Sequence, residues 1–195
     1  MFVEAENNAE IPENVFIEND GYVCMKAADY QHRHDTADGG FKILCPCTRE
    51  LSAIKAFPVT TDFMEVEQKP YVEYKFIADK NQDYNIRFYL EASTPVTYEA
   101  KQFICFSVND GDIVTINTVN EPDKQFFLSA QWSREATDHV KLADFVVKCR
   151  KGLNTLRFYA ASPAIVLEKI VLYPCGTQLK TSYMGPKESY IKKLP

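Results

Sequence analysis

The sequence lacks long apolar runs and clusters of basic residues. None of its hydrophobic segments approaches the roughly 20 residues that a helix needs to cross a bilayer, and residues 1–14 do not read as a signal peptide. The 22 Lys and Arg residues are scattered, and the formal net charge is -5. No basic stripe follows the pattern needed to track a phosphate backbone. We therefore expect no membrane and no nucleic acid among the partners.

Side chains suited to catalysis are also scarce. The three histidines are His32, His34 and His139. His32 and His34 would share a face of an extended segment with Asp35 beside them, which suits either half a metal site or two solvated loop histidines. No nucleophile elbow, glycine-rich phosphate loop or zincin motif is present. We expect no catalytic residues and no cofactor, so this chain alone is not predicted to be an enzyme.

The six cysteines permit disulfides without selecting a pairing. Cys24, Cys105 and Cys149 lie in apolar, strand-like runs, where a buried reduced thiol is common. Cys45 and Cys47 flank a proline and have no second half at the spacing of a zinc site. We expect free thiols and no bound metal, although the spacing leaves the disulfide state open.

Alternation of apolar and polar residues dominates the chain from Asn14 onward, and segment 72–78 shows it most clearly. Roughly ten such segments, separated by turn signals such as Asn19-Asp20-Gly21, predict an all-β antiparallel sandwich. The irregular stretch 120–139 is predicted to hold one short helix over 133–139, with Ser133 as its N-cap.

Composition divides the chain into three parts. Residues 1–13 are acidic and polar and are predicted to be a linker or lead-in. Residues 14–175 form the predicted β-sandwich. Residues 176–195 are rich in turn formers and are predicted to be an ordered C-terminal tail that packs on the sandwich.

The apolar segment 164–173, followed by Pro174, is predicted to be a strand covered on both faces. Strict alternation would place Val166 on the face of Glu168 and Leu167 on the face of Lys169. Burying the Glu168 carboxylate without a partner would cost several kcal/mol, roughly. Glu168 therefore needs either a partner or a position at the rim of the sheet.

The C-terminal third carries a resemblance to a known family. The segment AASPAIVLEKIVLYPCGTQLKTSYMGPKES is similar to the end of the glycoside hydrolase family 115 enzymes, which are xylan α-1,2-glucuronidases. These close with a D-P-G-V-V-L-x-K-I-V-I strand and an S-Y-L-G-P-P-E-S tail. Upstream, GYVCMKAADY resembles their G-Y-V-S-I-E-A-E-H-Y segment. The resemblance covers about residues 14 to 190.

The resemblance implies a galactose-binding-domain-like jelly-roll sandwich, similar to carbohydrate-binding modules of families 6 and 35. It implies an upstream catalytic domain in the same parent protein, with the catalytic residues there and none here. A periplasmic or secreted parent and a homodimer are further implied, with a plant polysaccharide as a partner of the alternative function below.

The chain departs from the family pattern on its first long strand. Where relatives have E-A-E, this chain has Lys26, Ala27 and Ala28. In related modules these acids and one acid on the last strand, matched by Glu168, resemble a structural calcium site, which needs several carboxylates. We therefore predict no calcium, and we hypothesise that Lys26 pairs with Glu168 in its place. Val166 stands where such modules often have a sugar-binding Asn.

Four aromatic residues are candidates for stacking on sugar rings, namely Trp132, Tyr30, Tyr98 and Tyr183. For Trp132, packing in the core competes with ligand contact and is the preferred interpretation. The leading hypothesis is a non-catalytic accessory domain that serves interdomain or dimer packing. The alternative is a working carbohydrate-binding module for glucuronoxylan or a related polysaccharide.

Overall fold

The computed structural model describes residues 14–96, 101–120, 129–179, 181–182 and 184–189. Their strands are β1 (Phe16–Ile17), β2 (Val23–Lys26), β3 (His32–His34), β4 (Gly40–Leu44), β5 (Ala53–Phe57), β6 (Tyr71–Ala78), β7 (Gln82–Leu90), β8 (Phe103–Val108), β9 (Val114–Asn117), β10 (Lys141–Cys149), β11 (Gly152–Tyr159) and β12 (Val166–Pro174). One α-helix, α1 (Ala130–Asp138), is present in the described ranges.

The strands form two sheets. The first has the order β1-β6-β11-β8-β9, with β3 also on β6, and the second has the order β10-β7-β12-β5-β4, with β2 also on β12. The pairing of β1 with β6 is parallel, and the other named pairs are antiparallel. The predicted all-β sandwich with one short helix is confirmed.

The core lies between the two sheets and is built by alternation. In β6, buried side chains alternate with half-buried ones over all eight residues, as the pattern predicts. The Phe88 ring on the second sheet lies 4.9 Å from that of Phe106 and 5.7 Å from that of Phe158, both on the first. These aromatic contacts bridge the layers and hold the sheets together.

Strand β12 occupies the middle of the second sheet, between β7 and β5. Seven of its nine residues are buried, which agrees with the prediction of a strand covered on both faces. The strict alternation predicted for it is wrong, because a β-bulge separates Leu167 from Lys169. Glu168 is the extra residue of this bulge. Leu167 consequently lies in the core with Ile170 and Leu172.

Helix α1 begins three residues earlier than predicted, and its N-cap is Ser129, not Ser133. The Ser129 hydroxyl accepts a hydrogen bond from the Trp132 amide at 3.0 Å, which satisfies one free donor of the first turn. Ser133 lies inside the helix, where its hydroxyl donates to the Ser129 carbonyl. The helix ends at His139, whose left-handed backbone (φ 51°) closes the last turn.

The described part of the C-terminal segment lies against β2. The Ser189 amide donates to the Cys24 carbonyl at 2.8 Å, and the Ser189 hydroxyl accepts from the Cys24 amide at 2.8 Å. Gly185 lies so close to Tyr89 that an added Cβ would meet the ring at 2.7 Å. These contacts fix residues 184–189, while the predicted three-part division of the chain stays a prediction.

Candidate functional site

The outer edge of β10 carries a run of exposed apolar side chains on an edge strand. Strand β10 is nine residues long and ends the second sheet, so its outer side pairs with no strand among those described. Three of its apolar side chains are exposed, namely Leu142 (38%), Phe145 (41%) and Val146 (51%). A long apolar edge strand invites pairing with another chain. We call this surface, Leu142 to Lys148, the β10 edge.

The β10 edge is held firmly from its inner side. All nine residues of β10 are in antiparallel register with β7. Arg87 donates two hydrogen bonds to the Asp144 carboxylate, at 2.7 and 2.8 Å, and these bonds raise the pKa of the guanidinium. The Phe145 ring packs edge-on against Phe106 at 5.8 Å. The strand therefore presents its outer side in one defined geometry.

A buried polar cluster anchors the start of β10. The fully buried Lys141 ammonium donates to Gln102 Oε1 at 2.5 Å and to the Ser93 carbonyl at 3.0 Å. It also lies 3.6 Å from Glu135 Oε2. Burial lowers the pKa of Lys141 and raises that of Glu135, while the attraction between the two charges opposes both shifts. This cluster joins α1 to the second sheet.

Lys26 has a different partner from the one predicted. Its ammonium lies 4.0 Å from Glu188 Oε2, and its amide donates to Glu188 Oε1 at 3.3 Å. The hypothesised pair of Lys26 with Glu168 is therefore corrected. The reason lies in the register, because the bulge sets Lys169, not Glu168, directly opposite Lys26 on β2. Glu188 comes from the C-terminal segment, so the pair ties that segment to β2.

Glu168 is almost completely buried, with 3% of its surface exposed. Its Oε1 atom has no hydrogen-bond partner. Burial raises the pKa of this carboxyl to about 7, and the neighbouring Glu91 carboxyl adds to the rise. The adjacent Lys169 is also buried, forms an ion pair with Glu50, and donates to the Met184 carbonyl at 2.8 Å.

The predicted absence of calcium around β2 and β12 stays a prediction. Within the described ranges, no three His, Cys, Asp or Glu side chains lie close enough together to hold a metal ion.

All six cysteines are free, three of them buried. Burial raises the pKa of both Cys24 and Cys149 to about 12, so these thiols stay protonated at neutral pH.

No helix among the described residues is long and apolar enough to cross a membrane.

The sequence pattern of the glycosyl hydrolase family 115 C-terminal domain matches residues 15–188. The chain belongs to this family. No curated protein matches the chain. The predicted relationship to family 115 is thereby confirmed at the level of this domain.

Solved structures share the fold at low sequence identity. The family 115 4-O-methyl-α-glucuronidase BtGH115A, with specificity for decorated arabinogalactans, is 14% identical with a TM-score of 0.60, over 82% of this chain and 18% of that one. A Podospora anserina GH26-CBM35 β-(1,4)-mannanase is 13% identical with a TM-score of 0.53, over 82% of this chain and 29% of that one. A family 35 carbohydrate-binding module from Clostridium thermocellum is 14% identical with a TM-score of 0.50, over 79% of this chain and 98% of that one.

The chain thus spans about a fifth of the length of BtGH115A. These similarities establish the fold, a β-sandwich of the kind found in carbohydrate-binding modules.

Two of the four predicted sugar-binding aromatics, Tyr30 and Trp132, lie in the described residues, on different elements of the fold. Tyr30 is half-buried and packs against the core, on the segment that follows β2. Trp132 is half-buried in the first turn of α1. Tyr98 and Tyr183 lie outside the described residues. The sugar-binding role of all four stays a prediction.

The structure assembles another aromatic group that the sequence analysis missed. Because β3, β6 and β11 are neighbours, His34, Tyr71 and Tyr159 lie directly opposite one another on the outer face of the first sheet. The His34 and Tyr71 rings stack at 5.0 Å, and the Tyr71 and Tyr159 rings lie 5.4 Å apart. Alternation marks each residue as outward-facing, but only the pairing of strands distant in sequence places them in one row.

The central ring of this aromatic row, Tyr71, is in contact with other side chains of the protein. His34 stacks on Tyr71, and the Arg157 guanidinium lies 5.3 Å from the centre of the same ring. Arg157 is itself bound to the Glu73 carboxylate at 2.9 Å. Stacking on a sugar requires a free ring face. The row therefore resembles an internally satisfied surface more than an open binding platform.

Proposed function

We propose that this chain is a non-catalytic accessory domain of a family 115 protein, and that it packs against another polypeptide through the β10 edge. The observation that carries the proposal is the exposure of Leu142, Phe145 and Val146 on a nine-residue strand whose outer side has no partner among the described strands. Covering such an edge removes apolar surface from water and pairs free backbone groups.

The positions of the histidines support a non-catalytic role. His32 and His34 are exposed on β3, where His34 stacks on Tyr71, and His139 closes helix α1. None of the three has a hydrogen-bonded carboxylate or nucleophile among the described contacts. A general base needs a reacting group within hydrogen-bond reach and a partner that orients it.

The proposal allows two partners for the β10 edge. One is the upstream catalytic region of the same parent protein, and the other is a second copy of this chain. A parent exported by a polysaccharide-degrading microbe belongs to the same proposal. Either occupant would bury the three apolar side chains of the strand.

Capture of a separately produced family 115 catalytic region, together with sedimentation of the chain alone, tests the proposal. Val146→Lys places a charge at the centre of the edge and should abolish both kinds of association. Val59→Lys is the matched control, because Val59 is exposed to a similar extent (46%) but lies after β5. Association that survives Val146→Lys, or that is lost equally in the control, would contradict the proposed role.

Carbohydrate binding is the second candidate, and the row of His34, Tyr71 and Tyr159 on an outer sheet face favours it. It ranks second because the central Tyr71 ring is already in contact with His34 and Arg157. Affinity electrophoresis on neutral and glucuronic-acid-bearing xylans is the test. Retardation that is lost in Trp132→Ala, Tyr30→Ala or Tyr159→Ala would place this function first, and unretarded migration on every xylan would remove it.

A further inference from the structure

The pattern of charges on β10 is complementary to itself. We propose that β10 pairs antiparallel with β10 of a second copy of this chain, about a two-fold axis that lies midway between the two Val146 residues. This proposal rests on the proposed packing function and names its partner. The pairing would join the two second sheets into one continuous sheet across the interface.

Geometry restricts the register of such a pair. In an antiparallel ladder, residues directly opposite each other point to the same face of the sheet. A two-fold axis perpendicular to a continuous sheet keeps each face on its own side. One residue of β10 must therefore face its own copy across the axis. A register shifted by one residue in pairing would set outer-face residues against core-face residues.

The outer-face row of β10 decides among the remaining registers. This row holds Leu142, Asp144, Val146 and Lys148, since they lie opposite Tyr89, Arg87, Asn85 and Asp83 of β7. With the axis at Val146, Asp144 faces Lys148 of the second copy, and the symmetry forms this contact twice. Opposite charges placed directly across a strand pair are favourable.

Neighbouring registers lack this match. With the axis at Phe145, Asp144 would face Val146, and Lys148 would face Leu142. With the axis at Asp144, the two Asp144 carboxylates would face each other, which is unfavourable. The axis at Val146 also sets the most exposed apolar side chain of the strand, at 51%, against its own copy.

The charges of β7 extend the match across four strands. Asp83 lies opposite Lys148, and Arg87 lies opposite Asp144 and binds it at 2.7 Å. In the proposed register the row reads Asp83 and Lys148 from one copy, then Asp144 and Arg87 from the other. The signs alternate through the interface, and the two-fold axis generates a second identical row. Asp144 and Lys148 would thereby select the register of the pair.

Charge-reversal variants test the register, with sedimentation velocity of the 195-residue chain as the measurement. The wild-type chain should associate to a dimer as its concentration rises. K148D sets two carboxylates opposite each other, and D144K sets two ammonium groups opposite each other. Each variant alone should weaken the dimer at least about tenfold. The control K151D makes the same change of charge in the exposed turn after β10 and should leave the dimer unchanged.

Mixing the two variants is the decisive measurement. In a mixed pair of K148D with D144K, a carboxylate faces an ammonium at both contacts, so the mixture should dimerise more strongly than either variant alone. This result cannot arise from misfolding of either variant.

Three outcomes would overturn the proposal. They are a wild-type chain that stays monomeric at its highest soluble concentration, single variants that dimerise like wild type, and a mixture that does not restore the dimer. A monomeric wild type that still captures the catalytic region, with capture lost in Val146→Lys, would refute the second copy as partner and leave the proposed packing function standing.

Discussion

Two buried charge clusters lie in the second sheet, and each contains a carboxyl group that is removed from water. They differ in the charges that surround that carboxyl group. At the start of β10, the Glu135 carboxylate lies 3.6 Å from the Lys141 ammonium. At the bulge of β12, the Glu168 carboxyl lies beside a second acid, Glu91. Glu135 and Glu168 each have one buried oxygen without a hydrogen-bond partner. The first cluster joins opposite charges, whereas in the second burial and the acid Glu91 outweigh the opposing effect of Arg49 on the pKa of Glu168.

The difference shows what each cluster contributes. Opposite charges in a dry site favour each other's ionised form, and removal of one leaves the other buried without a partner. Burial and a neighbouring acid both favour the protonated form of Glu168, because its charged form would lose hydration and be repelled. The Lys141 cluster therefore fixes the end of the β10 edge, while Glu168 makes the centre of the sheet sensitive to pH.

The largest effect is expected from Lys141→Met, which leaves the buried Glu135 carboxylate unpaired. The free energy of unfolding should fall by about 3–5 kcal/mol. Chemical denaturation at pH 7 measures it. Lys151→Met, in the exposed turn after β10, is the control and should change stability by less than about 0.5 kcal/mol. Equal stability of the Lys141→Met variant and the wild type would show that the cluster is not a structural anchor.

Lys169→Met should give the next largest loss, of about 1.5–3 kcal/mol, because Lys169 donates to the Met184 carbonyl and pairs with Glu50. Hydrogen exchange should show faster exchange in residues 184–189, which Lys169 helps to hold. A loss of stability without faster exchange there would mean that Lys169 acts on the sheet alone.

Glu168→Gln should stabilise the protein at pH 8 and have little effect near pH 4.5. The folded pKa of about 7 lies above the ordinary value of 4.5, so the folded state binds more protons and loses stability as pH rises between these values. The variant removes this loss, and its melting temperature at pH 8 should exceed that of wild type by about 2–4 °C.

Melting curves from pH 4.5 to 8 test this expectation for Glu168. Glu67→Gln, at an exposed position, is the control and should retain the pH dependence of the wild type. A Glu168→Gln variant that loses stability at every pH would indicate that the carboxylate, not the protonated acid, is the form the fold uses.

The smallest effect is expected from Lys26→Ala. The Lys26 ammonium is partly exposed and lies 4.0 Å from Glu188. A pair of this kind contributes less than about 1 kcal/mol and is screened by salt. Denaturation at low and high salt should show a small difference that vanishes at high salt. A loss comparable to that of Lys169→Met would place Lys26 among the buried anchors.

Local patterns predicted much of the fold but little of the candidate site. Alternation identified segment 72–78 as a strand, and the apolar run ending at Pro174 was correctly placed in the interior of a sheet. The start of α1 was missed because Ser129 and Ser133 are equally good caps by residue type, and only the hydrogen bond to Trp132 distinguishes them. The exposure of Phe145 and Val146 depends on which strand ends the sheet.

The sequence by itself determined the all-β class, the membership in the family 115 C-terminal domains and the presence of a charge in the middle of the last strand. Only the tertiary structure decided where that charge lies. A bulge of one residue exchanged the faces of β12, set Lys169 opposite Lys26, and left Glu168 beside Glu91. Bulges, edges and strand order arise from pairings between segments that are distant along the chain, and residue spacing within one segment does not encode them.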